Sequence, residues 1–163
     1  MILNDEQLRQ KAHELALTHD PYISSWPSKG LWRDLNQDVK SLRGFLQMLQ
    51  DSSVSCSQPA EEWLLDNADF IEEQVLVVKQ QLNRAFVNTL PKLRRTGDVR
   101  ILAICSEYLQ HVDGNLDEDS LIAFINSYQQ VSVLMIAEVW AIPLIIRIAL
   151  IKHLARVARE VKS

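Results

Sequence analysis

The chain has 163 residues, of which 47% are apolar, and a formal net charge of −4. This length and apolar content are typical of one soluble globular domain with a sizeable core, and the negative charge argues against nucleic-acid binding. Only four glycines and five prolines are present, so long helices are favoured over a sheet with many turns. The charged, amphipathic segment from Met1 to Leu17 lacks the apolar run of a signal peptide.

The first third of the chain predicts two amphipathic helices. The first runs from about residue 5 to residue 18, and Asn4 and Gln7 form a capping box at its start. An aromatic loop at residues 20–30 separates it from a second helix over about residues 31–50. The apolar positions of the second helix recur at helical spacing on one face, and they are Leu31, Leu35, Val39, Leu42, Leu46 and Leu49.

A third helix is predicted after a Ser-rich link at residues 51–58, with Ser57 as its cap and Pro59 in its first turn. It fades near residues 86–90 and stops at Pro91. Three ridges run along it: an apolar one, one of aromatic and amide side chains, and an acidic one. The apolar ridge contains Leu64, Ala68, Ile71, Val75, Val78 and Leu82. The aromatic and amide ridge contains Trp63, Asn67, Phe70 and Gln74. The acidic ridge contains Glu62, Asp66, Asp69 and Glu73.

These ridges have two interpretations. In the first, the helix has one core face and one solvated face. In the second, Asn67 and Gln74 are buried amides beside Trp63 and Phe70, and their hydrogen bonds fix a packing register. We expect Trp63 to be buried, in which case Trp63→Ala would lower the free energy of unfolding by about 3–5 kcal/mol.

Three more helices are predicted in the second half of the chain. The fourth spans about residues 98–112, places Cys105 in the core and stops at Gly114. The fifth spans about residues 118–129 and is capped by Asp117. The sixth begins after residue 132 and ends near residue 161. The sequence therefore predicts an all-α bundle of about six helices, with residues 1–163 in a single domain.

The sixth helix is apolar enough to raise the question of a membrane span. Its most apolar 21 residues, 131–151, would extend roughly 30 Å. Insertion would gain roughly 4–7 kcal/mol from the aliphatic residues and lose about 5–7 kcal/mol at Glu138 and Arg147, so there is no margin. We favour a buried helix that bends at Pro143. Burial then requires a partner for each charge, and Glu138 and Arg147 are out of phase with each other.

The end of that helix is basic, with Lys152, Arg156, Arg159 and Lys162. Basic residues at a helix C-terminus interact favourably with the helix dipole, which is the simpler interpretation. The alternative is contact with an anionic membrane surface.

No simple active site is expected. Residues 113–119 alternate oxygen-bearing side chains like a calcium loop, but the glycine falls at the wrong position and Phe124 stands where a carboxylate is needed. A turn between helices is the better interpretation. We expect His111 to be buried or to end its helix, with its ring satisfied by a carbonyl or by Asp113. Cys56 and Cys105 lack metal or redox spacing, so we expect both to be reduced thiols.

Several short motifs follow one another in order along residues 60–156. They are Glu62-Trp63-Leu64-Leu65-Asp66-Asn67, Leu90-Pro91-Lys92-Leu93, His111-x-Asp113-Gly114-x-Leu116-Asp117-Glu118 and Glu138-x-Trp140-Ala141-x-Pro143 with Arg147. On these motifs the chain resembles the helical segment that precedes the glycosyltransferase of cyclic β-1,2-glucan synthases. Residues 1–55 match that family only weakly.

The resemblance implies a parent protein that is a large bacterial inner-membrane enzyme using UDP-glucose and a divalent metal. None of the catalytic motifs of that family falls in these residues, so we expect a non-catalytic segment without cofactor that supports assembly, initiation or docking. Its partners would be other domains of the synthase, at the cytoplasmic face of the membrane. The alternative is a stand-alone helical adaptor that binds a protein partner, and an enzyme or metal protein is a third hypothesis.

Twelve positions are the candidate structural or docking residues, with no catalytic, cofactor or metal position among them. They are Trp63, Asp66, Asn67, Glu73, Gln74, His111, Asp113, Asp117, Glu138, Trp140, Pro143 and Arg147.

Overall fold

A computed structural model of the protein describes residues 2–28, 30–51 and 58–162, with only the backbone of residue 162. The described residues form eight helices and one two-stranded sheet, so the predicted all-α class is confirmed. In chain order the elements are α1 (Asp5–Thr18), β1 (Pro21–Tyr22), α2 (Leu31–Asp51), α3 (Pro59–Asp66), α4 (Ala68–Gln81), α5 (Arg84–Asn88), β2 (Lys92–Leu93), α6 (Arg100–His111), α7 (Glu118–Gln129) and α8 (Ile136–Lys162).

The predicted caps define several helix ends. At the start of α1, the Asn4 side chain accepts from the Gln7 N–H at 2.9 Å and the Gln7 side chain accepts from the Asn4 N–H at 3.0 Å. Asp117 accepts from the Ser120 N–H at the start of α7. Local side-chain chemistry therefore sets these boundaries where the sequence predicts them.

The prediction of one continuous third helix is wrong. Asn67 leaves helical geometry (φ −106°, ψ 16°) and its side-chain amide donates to the Trp63 carbonyl at 2.8 Å, which separates α3 from α4. An asparagine can compete in this way with the backbone for its own hydrogen bonds. Asn83 then caps α5 as a separate helix. Gln58 holds the N-cap position of α3, whereas the predicted cap Ser57, like Cys56, lies outside the described residues.

A small sheet joins the predicted aromatic loop to the segment between the third and fourth predicted helices. β1 and β2 pair antiparallel, with Pro21 opposite Leu93 and Tyr22 opposite Lys92. The Lys92 side chain is buried beside them, and its ammonium donates to the carbonyls of Ser24 at 2.9 Å and Asn88 at 2.5 Å. Backbone carbonyls thus replace the water that this cation loses on burial.

Helix α8 is the central element, because it packs against α2, α3, α4 and α6, while α1 packs against α7. The helix continues through Pro143. The helix is largely buried, as predicted, although Ile136, Val139, Trp140 and Pro143 in its first turns are exposed. Within the described residues, no helix combines the length and hydropathy that a membrane crossing requires.

Among the charged side chains that the structure describes, Glu138 is the most deeply buried. Its side chain is 0% exposed and forms two hydrogen bonds with the Arg100 guanidinium, at 3.0 Å from Nε and 2.5 Å from Nη2. Arg100 also donates to the Ser132 hydroxyl and to the Val133 carbonyl, while the Met135 N–H donates to Glu138. The prediction that Glu138 finds a partner inside the bundle, and that this partner is not Arg147, is confirmed.

The basic end of α8 is anchored to a buried acid of α2. Asp38 is almost fully buried, and its carboxylate accepts from Lys152 at 3.1 Å and from Arg159. Two of the four basic residues of this tail therefore pair inside the protein. The Lys162 side chain lies outside the described residues.

Two histidines are held in surroundings that disfavour their charged form. The His19 Nδ1 lies 2.7 Å from the Tyr128 hydroxyl, and burial, followed by the Arg100 charge, lowers the pKa of His19, while Glu107 opposes this shift. The pKa of His153 is lowered mainly by burial and next by the Arg156 charge. Both rings are therefore neutral in the folded protein at pH values where the unfolded chain already binds a proton.

The buried pair leads to a stability prediction. Glu138→Gln should lower the free energy of unfolding by about 3–5 kcal/mol, because it leaves the Arg100 charge buried without a counter-charge. Urea denaturation followed by circular dichroism would measure the change. Glu73→Gln, at an exposed acid, is the matched control and should stay within about 0.5 kcal/mol of the parent. Equal stabilities of Glu138→Gln and the control would contradict the buried pair.

The histidines lead to a pH prediction. Since their folded-state pKa values lie below the ordinary value of 6.5, the unfolded state gains protons first as the pH falls through 6.5, and stability declines until the lowered pKa values are reached. His19→Gln and His153→Gln should each flatten the dependence of unfolding free energy on pH below 6.5. His13→Gln on α1 serves as the comparison. Unchanged slopes in both test variants would rule out this role.

Candidate functional site

Three helices enclose an apolar groove on one side of the bundle. The α4–α8 groove has a volume of about 770 Å³ and lies between α4, α7 with the loop before it, and α8. Its walls are mainly aliphatic and aromatic, which is typical of binding clefts. The lining residues are Phe70, Glu73, Gln74, Leu116, Glu118, Leu121, Ile122, Ile142, Pro143, Ile146, Arg147 and Leu150.

A partly buried polar contact joins the two long walls of this groove. Arg147 on α8 donates from Nη1 to the Gln74 side-chain oxygen on α4 at 2.5 Å, and Gln74 is buried. The prediction that Arg147 finds a partner inside the bundle is therefore confirmed, and the partner is the side-chain amide of Gln74. The interpretation of Gln74 as a buried, hydrogen-bonded amide is confirmed. Asn67 is only half-buried, and its amide donates to the Trp63 carbonyl four residues earlier in the chain.

The apolar surface extends from the groove along the first turns of α8. We call the exposed apolar side chains at the start of α8 and just before it the α8 apolar ridge, and they are Val133, Met135, Ile136, Val139 and Trp140. They are between 42% and 76% exposed, and Trp140 is the most exposed of them. Pro143, three residues after Trp140, is exposed and lines the groove. Pro143 also lacks an N–H, so it leaves the carbonyl of exposed Val139 without its helical donor. In soluble proteins, contiguous exposed apolar surface is typical of interaction sites.

The exposed charges beside the groove are mainly acidic. Glu73 and Glu118 line it, and the predicted acidic ridge of α3 and α4, with Asp66 and Asp69, is exposed as expected. Arg147 is the cation among the lining residues, and Gln74 holds it. The surface is therefore apolar at its centre with negative charge beside it.

Trp63 does not lie in the core. Its side chain is 45% exposed, so the expected burial of Trp63 is wrong. Phe70 is exposed to the same extent. Trp63 lines a separate cleft of about 530 Å³ between α3, the turn after α6 and α8, together with Asp113 and Gly114. The break at Asn67 accounts for this, because it changes the direction in which side chains of the two half-helices project.

Several candidate residues have structural roles. His111 ends α6 as expected, but it is half-buried and its Nε2 lies 2.9 Å from Glu107, which replaces both predicted partners. Asp113 takes the left-handed conformation (φ 54°) after that helix, and the next N–H, of Gly114, donates to the Leu109 carbonyl at 2.8 Å. This arrangement is a helix C-cap of the Schellman type. Asp117 caps α7 and Glu138 is buried with Arg100.

Of the twelve candidates, the structure brings Glu73, Gln74, Pro143 and Arg147 together in the groove. Trp140 lies on the adjoining ridge.

Three buried charges were not predicted, namely Asp38, Lys92 and Arg100. One signal could have identified Arg100: a cation in the first turn of a helix opposes the helix dipole and is tolerated where a carboxylate compensates it. Among the described residues, no three His, Cys, Asp or Glu side chains are grouped as metal ligands.

The comparisons with known proteins agree with the predicted resemblance. No protein-family model matches the chain. The chain is 37% identical over 133 residues to the cyclic beta-(1,2)-glucan synthase NdvB of Rhizobium meliloti (strain 1021). The match covers 80% of this chain but only 5% of NdvB. The resemblance to a glucan synthase is therefore confirmed at the level of a segment, and the chain corresponds to a small part of that relative.

The exposure of Trp63 and Trp140 predicts how much their replacement by alanine changes the free energy of unfolding. Trp140→Ala should change the free energy of unfolding by no more than about 0.5 kcal/mol, and half-exposed Trp63→Ala should cost less than the expected core penalty. Phe124→Ala, at a fully buried ring of α7, is the reference and should cost about 3–5 kcal/mol. Urea titrations of the three variants would measure this order, and a Trp140→Ala variant as unstable as Phe124→Ala would contradict it.

Proposed function

We propose that this chain is a non-catalytic helical domain of a cyclic β-1,2-glucan synthase-like protein. In this proposal the α4–α8 groove and the α8 apolar ridge dock another segment of the same polypeptide and so support assembly of the synthase. The single observation that carries the docking role is the exposed apolar surface that runs from Val133 to the groove. An isolated surface of this kind would be costly in water, and burial against a partner would remove that cost.

The relative supports an intramolecular partner. NdvB extends far beyond the matched segment, because that segment is only 5% of its length. A parent protein of that kind would supply neighbouring domains at high effective concentration, so a modest apolar contact suffices for docking. UDP-glucose and a divalent metal would then bind elsewhere in the parent, at the cytoplasmic face of the membrane.

The charge pattern specifies the chemistry of the docking segment. Glu73 and Glu118 beside the apolar centre favour basic side chains, and the carbonyl of Val139 offers an acceptor to a donor group. The occupant we propose is an amphipathic helix with an apolar face and flanking Lys or Arg residues. The same acidic residues would repel an anionic lipid surface, so this face is proposed to contact protein.

Site-directed photo-crosslinking in the full-length protein encoded by the native gene would test this proposal. A photoreactive phenylalanine analogue in place of Trp140 should crosslink to a segment outside residues 1–163 of the same polypeptide, identified by mass spectrometry. The same analogue in place of exposed Asn36 on α2 is the positional control. Crosslinks from position 140 to a second copy of this domain, or to a separate protein as for an adaptor, would contradict intramolecular docking.

Glucan synthesis provides a functional readout for the same surface. Ile122→Asp combined with Trp140→Asp places charge at two exposed apolar positions and should lower glucan production severalfold while the domain stays folded. Leu17→Asp, at an exposed leucine of α1 outside the groove, is the matched control and should leave production unchanged. Equal glucan yields from the double variant and the control would refute a role in assembly.

A further inference from the structure

A polar cleft on a different face of the bundle carries an inference that is independent of the docking groove. The α2–α8 cleft has a volume of about 490 Å³, large enough for a small organic ligand. Three cations of α8 line it at positions one and two turns apart. The lining residues are Asp34, Gln37, Asp38, Ser106, Ala149, Lys152, His153, Arg156 and Arg159.

Asp38 fixes the position of two of these cations. Its carboxylate accepts from both Lys152 and Arg159, and only 9% of its side chain is exposed. The carboxylate therefore draws a lysine and an arginine that are two turns apart on α8 to one point beside the cleft. Each cation uses one of its several N–H donors in this contact, so donors remain for a ligand.

His153 positions the third cation. The Arg156 Nη2 lies 3.1 Å from the His153 Nδ1, and burial lowers the pKa of that histidine, so its Nδ1 accepts a hydrogen bond from the guanidinium. The His153 ring is in turn packed closely, since a Cβ atom at Gly114 would lie 3.0 Å from it. The contact with His153 therefore orients the Arg156 guanidinium beside the cleft.

The charges that line the cleft add up in favour of an anion. Lys152, Arg156 and Arg159 outweigh the buried Asp38 and the exposed Asp34 at the rim. An arginine guanidinium can donate two parallel hydrogen bonds to two phosphoryl oxygens, and a lysine ammonium contributes a point charge. The Ser106 hydroxyl and the Gln37 amide are neutral donors in the same cleft. We propose that the α2–α8 cleft binds a phosphoryl anion, either the phosphate groups of a soluble ester or the headgroup of an anionic lipid.

The proposal assigns distinct tasks to the lining residues. Arg156 is exposed and would contact the phosphoryl oxygens directly, whereas Asp38 and His153 position the cations and do not bind the ligand. Removal of Asp38 would also leave two cations without their internal partner and could unfold the chain, so Arg156 is the residue to change. Lys40 on the same helix as Asp38 is an exposed cation outside the cleft and is the matched control.

Two binding assays at near-physiological salt would test the site. The first is isothermal titration of the 163-residue chain with inorganic pyrophosphate. The second is flotation of the chain with phosphatidic acid vesicles, with phosphatidylcholine vesicles as the control. We expect saturable binding in at least one arm, weakened roughly tenfold or more by Arg156→Gln, since a hydrogen bond to a charged group contributes about 1.5–3 kcal/mol. Lys40→Gln should bind like the parent. Binding of pyrophosphate would identify a soluble ligand, and binding of the phosphatidic acid vesicles alone would identify the lipid headgroup.

Three results would overturn the site. They are the absence of saturable binding in both arms, equal affinity of Arg156→Gln and the parent, and equal weakening by Lys40→Gln, which would reflect general charge attraction. The far-ultraviolet circular dichroism spectrum and melting temperature of Arg156→Gln, measured alongside, separate loss of binding from loss of structure. Because Arg156 is exposed, we expect both to match those of the parent.

Discussion

The buried pair of Glu138 and Arg100 determines how α8 sits in the bundle. Burial of two charges is costly unless both are fully hydrogen-bonded, and here Arg100 also reaches Ser132 and the Val133 carbonyl. These contacts tie the first turn of α8 and the segment before it to the first turn of α6. Sliding or rotation of α8 would break the whole set at once, so the pair holds a single register between the two helices.

That register also decides which side chains of α8 face water. Residues two apart on an α-helix point in nearly opposite directions, because each residue advances the helix by about 100°. Inward rotation of Glu138 therefore turns Ile136 and Trp140 outward, where both are mostly exposed. The exposed apolar ridge is in this sense a consequence of the buried charge. A helix with a neutral residue at position 138 could instead rotate its apolar side chains into the core.

Three polar contacts along α8 join it to the bundle, with an ion pair near each end and an amide contact in the middle. Near its start Arg100 and Glu138 form the contact, in the middle Arg147 bonds to Gln74, and near its end Lys152 and Arg159 bond to Asp38. Each contact joins α8 to a different helix and leaves a cleft or ridge beside it. The proposed docking surface and the proposed anion site both follow from this arrangement, because polar anchors keep the intervening surface from collapsing.

The sequence by itself determined the class of fold, most helix boundaries, the caps at Asn4 and Asp117 and the resemblance to a glucan synthase, because these depend on local periodicity, capping chemistry and ordered motifs. It also predicted that Glu138 and Arg147 need partners, since burial of a charge has the same cost in any fold. Only the tertiary structure decided that the partners are Arg100 and Gln74, that Asn67 breaks a helix, and that Trp63 and Trp140 face solvent. The partners and the exposed faces depend on which helices meet and at what rotation, and neither quantity is encoded in the pattern of a single segment. The break at Asn67 is a local hydrogen bond to the Trp63 carbonyl, which helical periodicity does not reveal.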